Sequence, residues 1–166
     1  MNILPLTPTR AASIIAQDGG NGWNRREEHW LAVLAQIETG QRATLVAVLD
    51  AQVVGYGSLL WRSGYPGFAA ADIPEVHDLA TLAQHRGKGV ATSLIAALED
   101  LARQRGHQVT GLGVGLYADY GPAQRLYTRL GYRPDGNGVT YRHTPVVSGA
   151  LFPIDDELLL WLTRRL

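Results

Sequence analysis

The chain has 166 residues, enough for one domain with a sizeable core, and its 46% hydrophobic and 18% charged residues describe a globular rather than a disordered protein. Fifteen basic and fifteen acidic side chains cancel to a net charge of +0, so no basic field draws in nucleic acid, and the lack of cysteine excludes disulfides, thiolate metal sites and a cysteine nucleophile. The first ten residues carry no signal-peptide pattern and no apolar run is long enough to span a bilayer, so a cytoplasmic protein with one domain over 1–166 and no membrane partner is expected.

The opening MNILPL reads as an edge strand. TPTRAASIIAQ follows as a helix with Pro8 in its first turn, and GGNGW as a flexible break. RREEHWLAVLAQIETG is a second helix with Trp30, Val33, Leu34 and Ile37 on one stripe and Gly40 as its stop. Two β-rich runs, ATLVAVLD and VVGYGSLLW, flank Asp50-Ala51-Gln52 and predict an antiparallel hairpin. SGYPGFAAAD reads as a loop, and PEVHDLATL as a third long strand.

QHRGKG then leads into the helix VATSLIAALEDLARQRG, with Leu94, Ile95, Leu98, Leu101 and Ala102 on one face. QVTGLGVGLY is a strand, and GPAQRLYTRLG a short helix between Pro122 and Gly131 with Ala123, Leu126, Tyr127 and Leu130 inward. GVTYRH and ELLLWLTRRL close the chain as strands. The order is βααββ, then βαβα, then ββ, an α/β (α+β) class with a mixed central sheet.

A strand, a glycine-bearing turn and a helix in succession form an anion site, because the first helical N–H groups lack internal partners and the helix dipole adds positive potential. Arg86 and Lys88, the only lysine in the chain, add charge. The triphosphate loop G-x-x-x-x-G-K-[ST] and the dinucleotide pattern G-x-G-x-x-G are both absent, and Gly111, Gly113 and Gly115 lie within a strand. What stands here is R-G-K-G-V-A, an [RQ]-x-x-G-x-[GA] pattern at Arg86, Gly89 and Ala91.

That pattern resembles motif A of the GNAT superfamily of acyl-CoA-dependent N-acetyltransferases, and Ala123, Leu126-Tyr127 and Leu130-Gly131-Tyr132 resemble its motif B. The region from Glu75 to Tyr132 carries the most specific part of the likeness. The resemblance implies a mostly antiparallel sheet of about seven strands, splayed between the fourth and fifth, with about four helices. It also implies acetyl-CoA as co-substrate and an amine acceptor, with direct transfer in a ternary complex. The backbone of Gly87, Lys88, Gly89, Val90 and Ala91 would hold the pyrophosphate beside Arg86, and that of Leu79, Ala80 and Thr81 the pantetheine arm and thioester oxygen. Tyr120 stands where the family often has an asparagine against the cofactor arm.

Tyr127 matches the family's general acid, since a phenol with a pKa of ~10 can donate to a departing thiolate. For the base, alternation along 74–82 puts Glu75, His77, Leu79 and Thr81 on one face and Asp78 on the other, and both Glu75 and His77 lie where relatives place bases. A glutamate needs burial or a bridging water to act near neutral pH, a histidine does not, and ordered water alone is the third possibility. His85 flanks the phosphate turn, while His29, His107 and His143 read as surface or strand residues, and no pair has metal-ligand spacing.

The acceptor side is expected over 18–30, 61–72 and 133–156, where Trp23, Trp61, Tyr65, Phe68, Tyr141 and Phe152 could form an apolar amine pocket and Trp30 caps the core. Asp72, Asp119, Asp155 and Asp156 are candidate anchors for a cationic amine. A small-molecule amine is favoured over a peptide N-terminus or lysine. A non-catalytic acyl-CoA-binding domain, and a scaffold in which RGKG merely starts a helix, are the competing readings. A homodimer is possible, as is common in such families.

Overall fold

In the computed structural model, which describes residues 1–17 and 25–166, the sheet grows from the hairpin of β2 (Arg42–Leu49) and β3 (Gln52–Leu60). Both turn residues, Asp50 and Ala51, have positive φ (48° and 64°), as the tight turn between right-twisted strands demands. β1 (Asn2–Pro5) adds at the edge beside β2, and β4 (Glu75–Thr81) pairs antiparallel on the other side of β3. Beyond β4 come β5 (Val109–Gly115), β8 (Leu158–Arg165), β6 (Arg133–Tyr141) and the two-residue β7 (Thr144–Pro145). The order is β1-β2-β3-β4-β5-β8-β6-β7, with one parallel neighbour pair, β4 and β5.

The elements follow the sequence expectation closely. α1 (Pro8–Gln17) and α2 (Glu27–Glu38) cover one face of the sheet, with Trp30 and Val33 buried on Val46, Val53 and Tyr56. α4 (Val90–Gln104) and α5 (Gly121–Arg129) cover the other, where Leu94, Ile95, Leu98 and Ala102 pack on Leu59, Val76, Leu112 and Val114. The last apolar run is a strand, as its alternation with the inward Leu162 and Arg164 requires beside β5. Two elements exceed expectation: β7, and α3 (Pro66–Ala70), a short helix inside the SGYPGFAAAD segment read as a loop. The GGNGW segment, with Trp23, lies outside the described residues.

α3 explains the strand glycines. Gly111, Gly113 and Gly115 share one side of β5, where a Cβ at Gly111 would collide with the Phe68 ring, one at Gly113 would crowd Trp161, and one at Gly115 would meet Tyr120. Three aromatic rings thus sit on a stripe cleared of side chains. Tyr65 stacks on Trp161 and Phe68 meets it edge-on in a buried cluster, so these two are core residues and not the lining of an amine pocket.

Two irregularities shape the centre of the sheet. β4 and β5 share a single register pair, Glu75 with Gly111, and then diverge. β4 also bulges: Ser58 faces His77 while Tyr56 faces Ala80, so one residue is extra, and Asp78 takes a φ of 51°.

Candidate active site

The bulge reverses the alternation expected along β4. Glu75 and His77 stay on the α2 face, Asp78 joins them, and Leu79 and Thr81 turn to the α4 face, where Leu79 packs on Gly57. The expectation that Glu75, His77, Leu79 and Thr81 share one face is therefore corrected, because the extra residue shifts the parity of every side chain after it.

On the α4 side lies a groove of about 470 Å³ between the end of β4, the start of α4 and the inner side of α5. Gly87 and Gly89 have φ of 74° and 83°, and Gly89 is the N-cap of α4. A Cβ on either would meet nothing within 4 Å, so these glycines are required by the left-handed backbone and not by crowding. The first helix-internal bond there runs from Ser93 N–H to the Gly89 carbonyl, which leaves the N–H groups of Gly89 to Thr92 without helical partners at the groove wall. Arg86, tied to the Thr81 carbonyl by Nε at 3.3 Å, and Arg129 of α5 also line it, and among the described residues no acidic side chain does.

Tyr127 closes the inner end. It is 8% exposed, and burial alone pushes its phenol up to about 12, so the hydroxyl is a proton donor throughout the neutral range. Of the residues expected around a cofactor, Leu79, Thr81, Arg86, Gly87, Gly89, Val90, Ala91 and Tyr127 line this groove. Lys88 is exposed and does not. Ala80 and Tyr120 line instead a second cavity, of about 780 Å³, with Asp119 and Leu82. The two cavities share Leu79, Thr81, Arg86, Pro122 and Ala123, so they meet at the splayed end of β4.

The base candidates occupy neither cavity wall; they form a polar cluster on the α2 face. Glu75 is 5% exposed and accepts hydrogen bonds from the Ser63 hydroxyl and from His77 Nδ1 at 2.9 Å. Glu75 is thus a buried, oriented carboxylate and not a solvated strand end. Burial works against protonation of His77, but the hydrogen bond to Glu75 and the charges of Asp78 and Glu75 outweigh it and raise its pKa. Asp78 sits at the hub, with Arg25 at 3.0 Å, Arg42 at 3.4 Å, His29 at 3.7 Å and His77 at 3.9 Å. His29, read from the sequence as a surface residue, belongs to this cluster; burial lowers its pKa despite Asp78.

Of the proposed amine anchors, Asp119 lines the second cavity, and Asp156 accepts from the hydroxyls of Tyr117 and Tyr120 beside it. Asp155 is engaged by Tyr141, and Asp72 lies beside His107, away from both cavities. Trp30 is core, as expected, and Trp61 lies under the Arg105 guanidinium. Sequence reasoning missed Ser63, Arg129 and the buried Glu99. Glu99 alone had a visible signal, a carboxylate four residues after Ile95 on the apolar face of α4. Among the described residues no group of three or more His, Cys, Asp or Glu side chains could hold a metal ion, and no helix is long and apolar enough to cross a membrane.

Comparison with known proteins agrees with this geometry. The acetyltransferase (GNAT) family model matches residues 13–132. Among solved structures, a ribosomal-protein-alanine N-acetyltransferase from Brucella melitensis superposes with a TM-score of 0.70 at 22% identity over 100% of both chains. An acetyltransferase-like protein from Salmonella typhimurium, solved with its cofactor acetyl-CoA, gives 0.68 at 21% over 99% of this chain and 93% of that one. An aminoglycoside 6'-N-acetyltransferase complexed with coenzyme A gives 0.67 at 16% over 99% and 97%. No curated protein matches the sequence significantly.

Proposed function

Because the chain belongs to the acetyltransferase (GNAT) family, and is thereby an acyl-CoA-dependent N-acetyltransferase, we propose that it transfers the acetyl group of acetyl-CoA to a primary amine of a small molecule by direct attack. One observation carries the reading: a groove with a helix N-terminus at one end and a buried phenol at the other opens, at the splayed end of β4, into a second cavity. The volume of that cavity, about 780 Å³, suits a small molecule.

The residues present fit the cofactor. The N–H groups of Gly89 to Thr92 without helical partners, the dipole of α4, and the cations Arg86 and Arg129, in a groove that no carboxylate lines among the described residues, favour a pyrophosphate. The β4 backbone from Leu79 to Thr81, unpaired toward β5, can take up an extended amide-bearing arm as an added strand would. Acetyl-CoA supplies the activated acyl thioester. Backbone N–H groups near Thr81 stand to stabilise the charge that develops on its carbonyl oxygen. Tyr127 holds the proton that the leaving sulfur takes up.

His77, on the α2 face of β4 and off both cavity walls, is the base we favour. Its Nδ1 is fixed by Glu75, which Ser63 orients in turn, so Nε2, with Asp78 Oδ2 at 3.9 Å, is the nitrogen that would receive a proton from the amine through water. Asp119 lines the second cavity and Asp156 accepts from Tyr120 on its wall, which favours a cationic acceptor.

Thermal unfolding with added acetyl-CoA tests cofactor binding, and thiol release over a panel of small amines and N-terminal peptides tests catalysis and acceptor class. Saturable release with small amines supports the reading; release with peptides alone moves the acceptor to a protein.

A further inference from the structure

Tyr127 stands near the end of α5, a helix of nine residues, and the way that helix stops is unusually well braced. Gly131, at φ 87°, donates its N–H to the Thr128 carbonyl, and Tyr132 donates its N–H to the Tyr127 carbonyl, both at 3.0 Å. These are the paired bonds of a Schellman stop, with Tyr127 in the third helical position from the end and Tyr132 just past the glycine. The apolar contact that accompanies such a stop is here made by the two tyrosine rings, whose centroids are 6.0 Å apart.

Tyr132 is itself held from three other elements. Its ring is 2% exposed, and its hydroxyl donates to Oε1 of Glu99 on α4 at 2.8 Å. Thr110 of β5 lies 3.2 Å from the same oxygen. Glu99, also 2% exposed, takes Arg164 Nη1 of β8 on both carboxylate oxygens, at 2.9 and 3.0 Å. A buried carboxylate is costly unless paired and hydrogen-bonded, and this one is both. Nothing in the acetyl-transfer chemistry uses it.

We propose that Tyr132, anchored by Glu99, Thr110 and Arg164, is a positioning residue that fixes where the Tyr127 hydroxyl stands in the groove. The proposal rests on Tyr127 being the proton donor. The brace ties the end of this short helix to α4 and β5 at one atom, the Tyr132 hydroxyl oxygen, and to β8 through Glu99. Rates are sensitive to such placement, because a donor displaced by about 1 Å can cost orders of magnitude.

The test is a double-mutant cycle on the full chain, with Tyr132→Phe and Tyr127→Phe alone and combined. It is read as kcat and as KM for acetyl-CoA in thiol release, with the fastest amine of the panel or with water as acceptor. Tyr132→Phe keeps the ring and removes the anchor. We expect kcat to fall about ten-fold with KM for acetyl-CoA within about two-fold, and less than about two-fold further loss when Tyr127 is already phenylalanine. A Tyr132→Phe protein with wild-type kcat, or an equal loss in both backgrounds, overturns the positioning role. A Tyr127→Phe protein with full turnover instead overturns the donor reading beneath it. If Tyr132→Phe fails to fold, Glu99→Gln, which keeps an acceptor oxygen but loses the charge, enters the same cycle with the same criteria.

Discussion

His77 and Asp78 are neighbours in a strand yet lie on the same face of the sheet, with His77 Nε2 3.9 Å from Asp78 Oδ2. The extra residue at the β4 bulge makes this possible. It keeps the titratable cluster on the α2 side and turns Leu79 and Thr81 to the groove on the α4 side. One strand thereby has two faces at work: its first half carries the Glu75–His77–Asp78 cluster, and its last half lines both cavities.

The His77 environment predicts a pH signature. A base must be neutral, and the partners of His77 raise its pKa, so the acid limb of kcat/KM should fall above the ordinary imidazole value of about 6.5. The stability effect has the opposite sense. The folded state binds this proton more tightly than the unfolded chain, so the contribution is complete below about pH 6.5 and is lost as pH rises through the raised folded value. His77→Gln should remove the rate limb, and a profile that keeps it would assign the limb to another group.

Tyr127→Phe should lower kcat by about 10²- to 10⁴-fold, the range of a general acid. The thermal stabilisation by acetyl-CoA should be retained, because the groove wall loses one hydroxyl and keeps the ring. Steady-state kinetics beside a thermal-shift titration separates the two.

Gly89→Ala places a side chain on a backbone at φ 83°, which costs about 1–2 kcal/mol in the left-handed region. Because Gly89 is also the N-cap of α4 at the proposed pyrophosphate site, KM for acetyl-CoA should rise with it. Lys88→Ala, beside it but off the groove wall, should change KM little.

Gly111→Ala drives a methyl group into the Phe68 ring and should destabilise the fold by about 1–3 kcal/mol, as overpacked cores do. A thermal melt reads this directly. Gly113 and Gly115 sit under Trp161 and Tyr120 and should respond in the same direction.

The framework was legible because each element carried its own signal. The apolar stripe of α4, Pro122 and Gly131 around α5, and the hairpin at Asp50-Ala51 each fixed an element and its inward face. The anion site at the start of α4 was legible from its glycine turn and helix, while the acyl-CoA groove and the place of Tyr127 in it were read from the resemblance to the family's motifs A and B. The bulge was not, since Asp78 in a strand-like run carries no local mark of a positive φ; it was long-range pairing with β3 that revealed it. Ser63 was missed for the same reason, since its importance lies in a partner 12 residues away, Glu75; Glu99 was visible as a carboxylate on the apolar face of α4, but its partner Tyr132, 33 residues away, was not. Tyr65 and Phe68 looked like pocket residues because the short helix α3 and its glycine stripe are tertiary features.

The central claim is that the groove ending at Tyr127 binds acetyl-CoA and delivers its acetyl group to an amine from the second cavity. Amine-dependent release of CoA thiol, with the acetylated amine identified by mass, tests it most directly. The account predicts saturable, stoichiometric release and acetyl-amine formation, both slowed strongly by Tyr127→Phe. Binding of acetyl-CoA with no acetyl transfer to any amine or peptide offered would contradict it and leave a cofactor-binding protein in place of an enzyme.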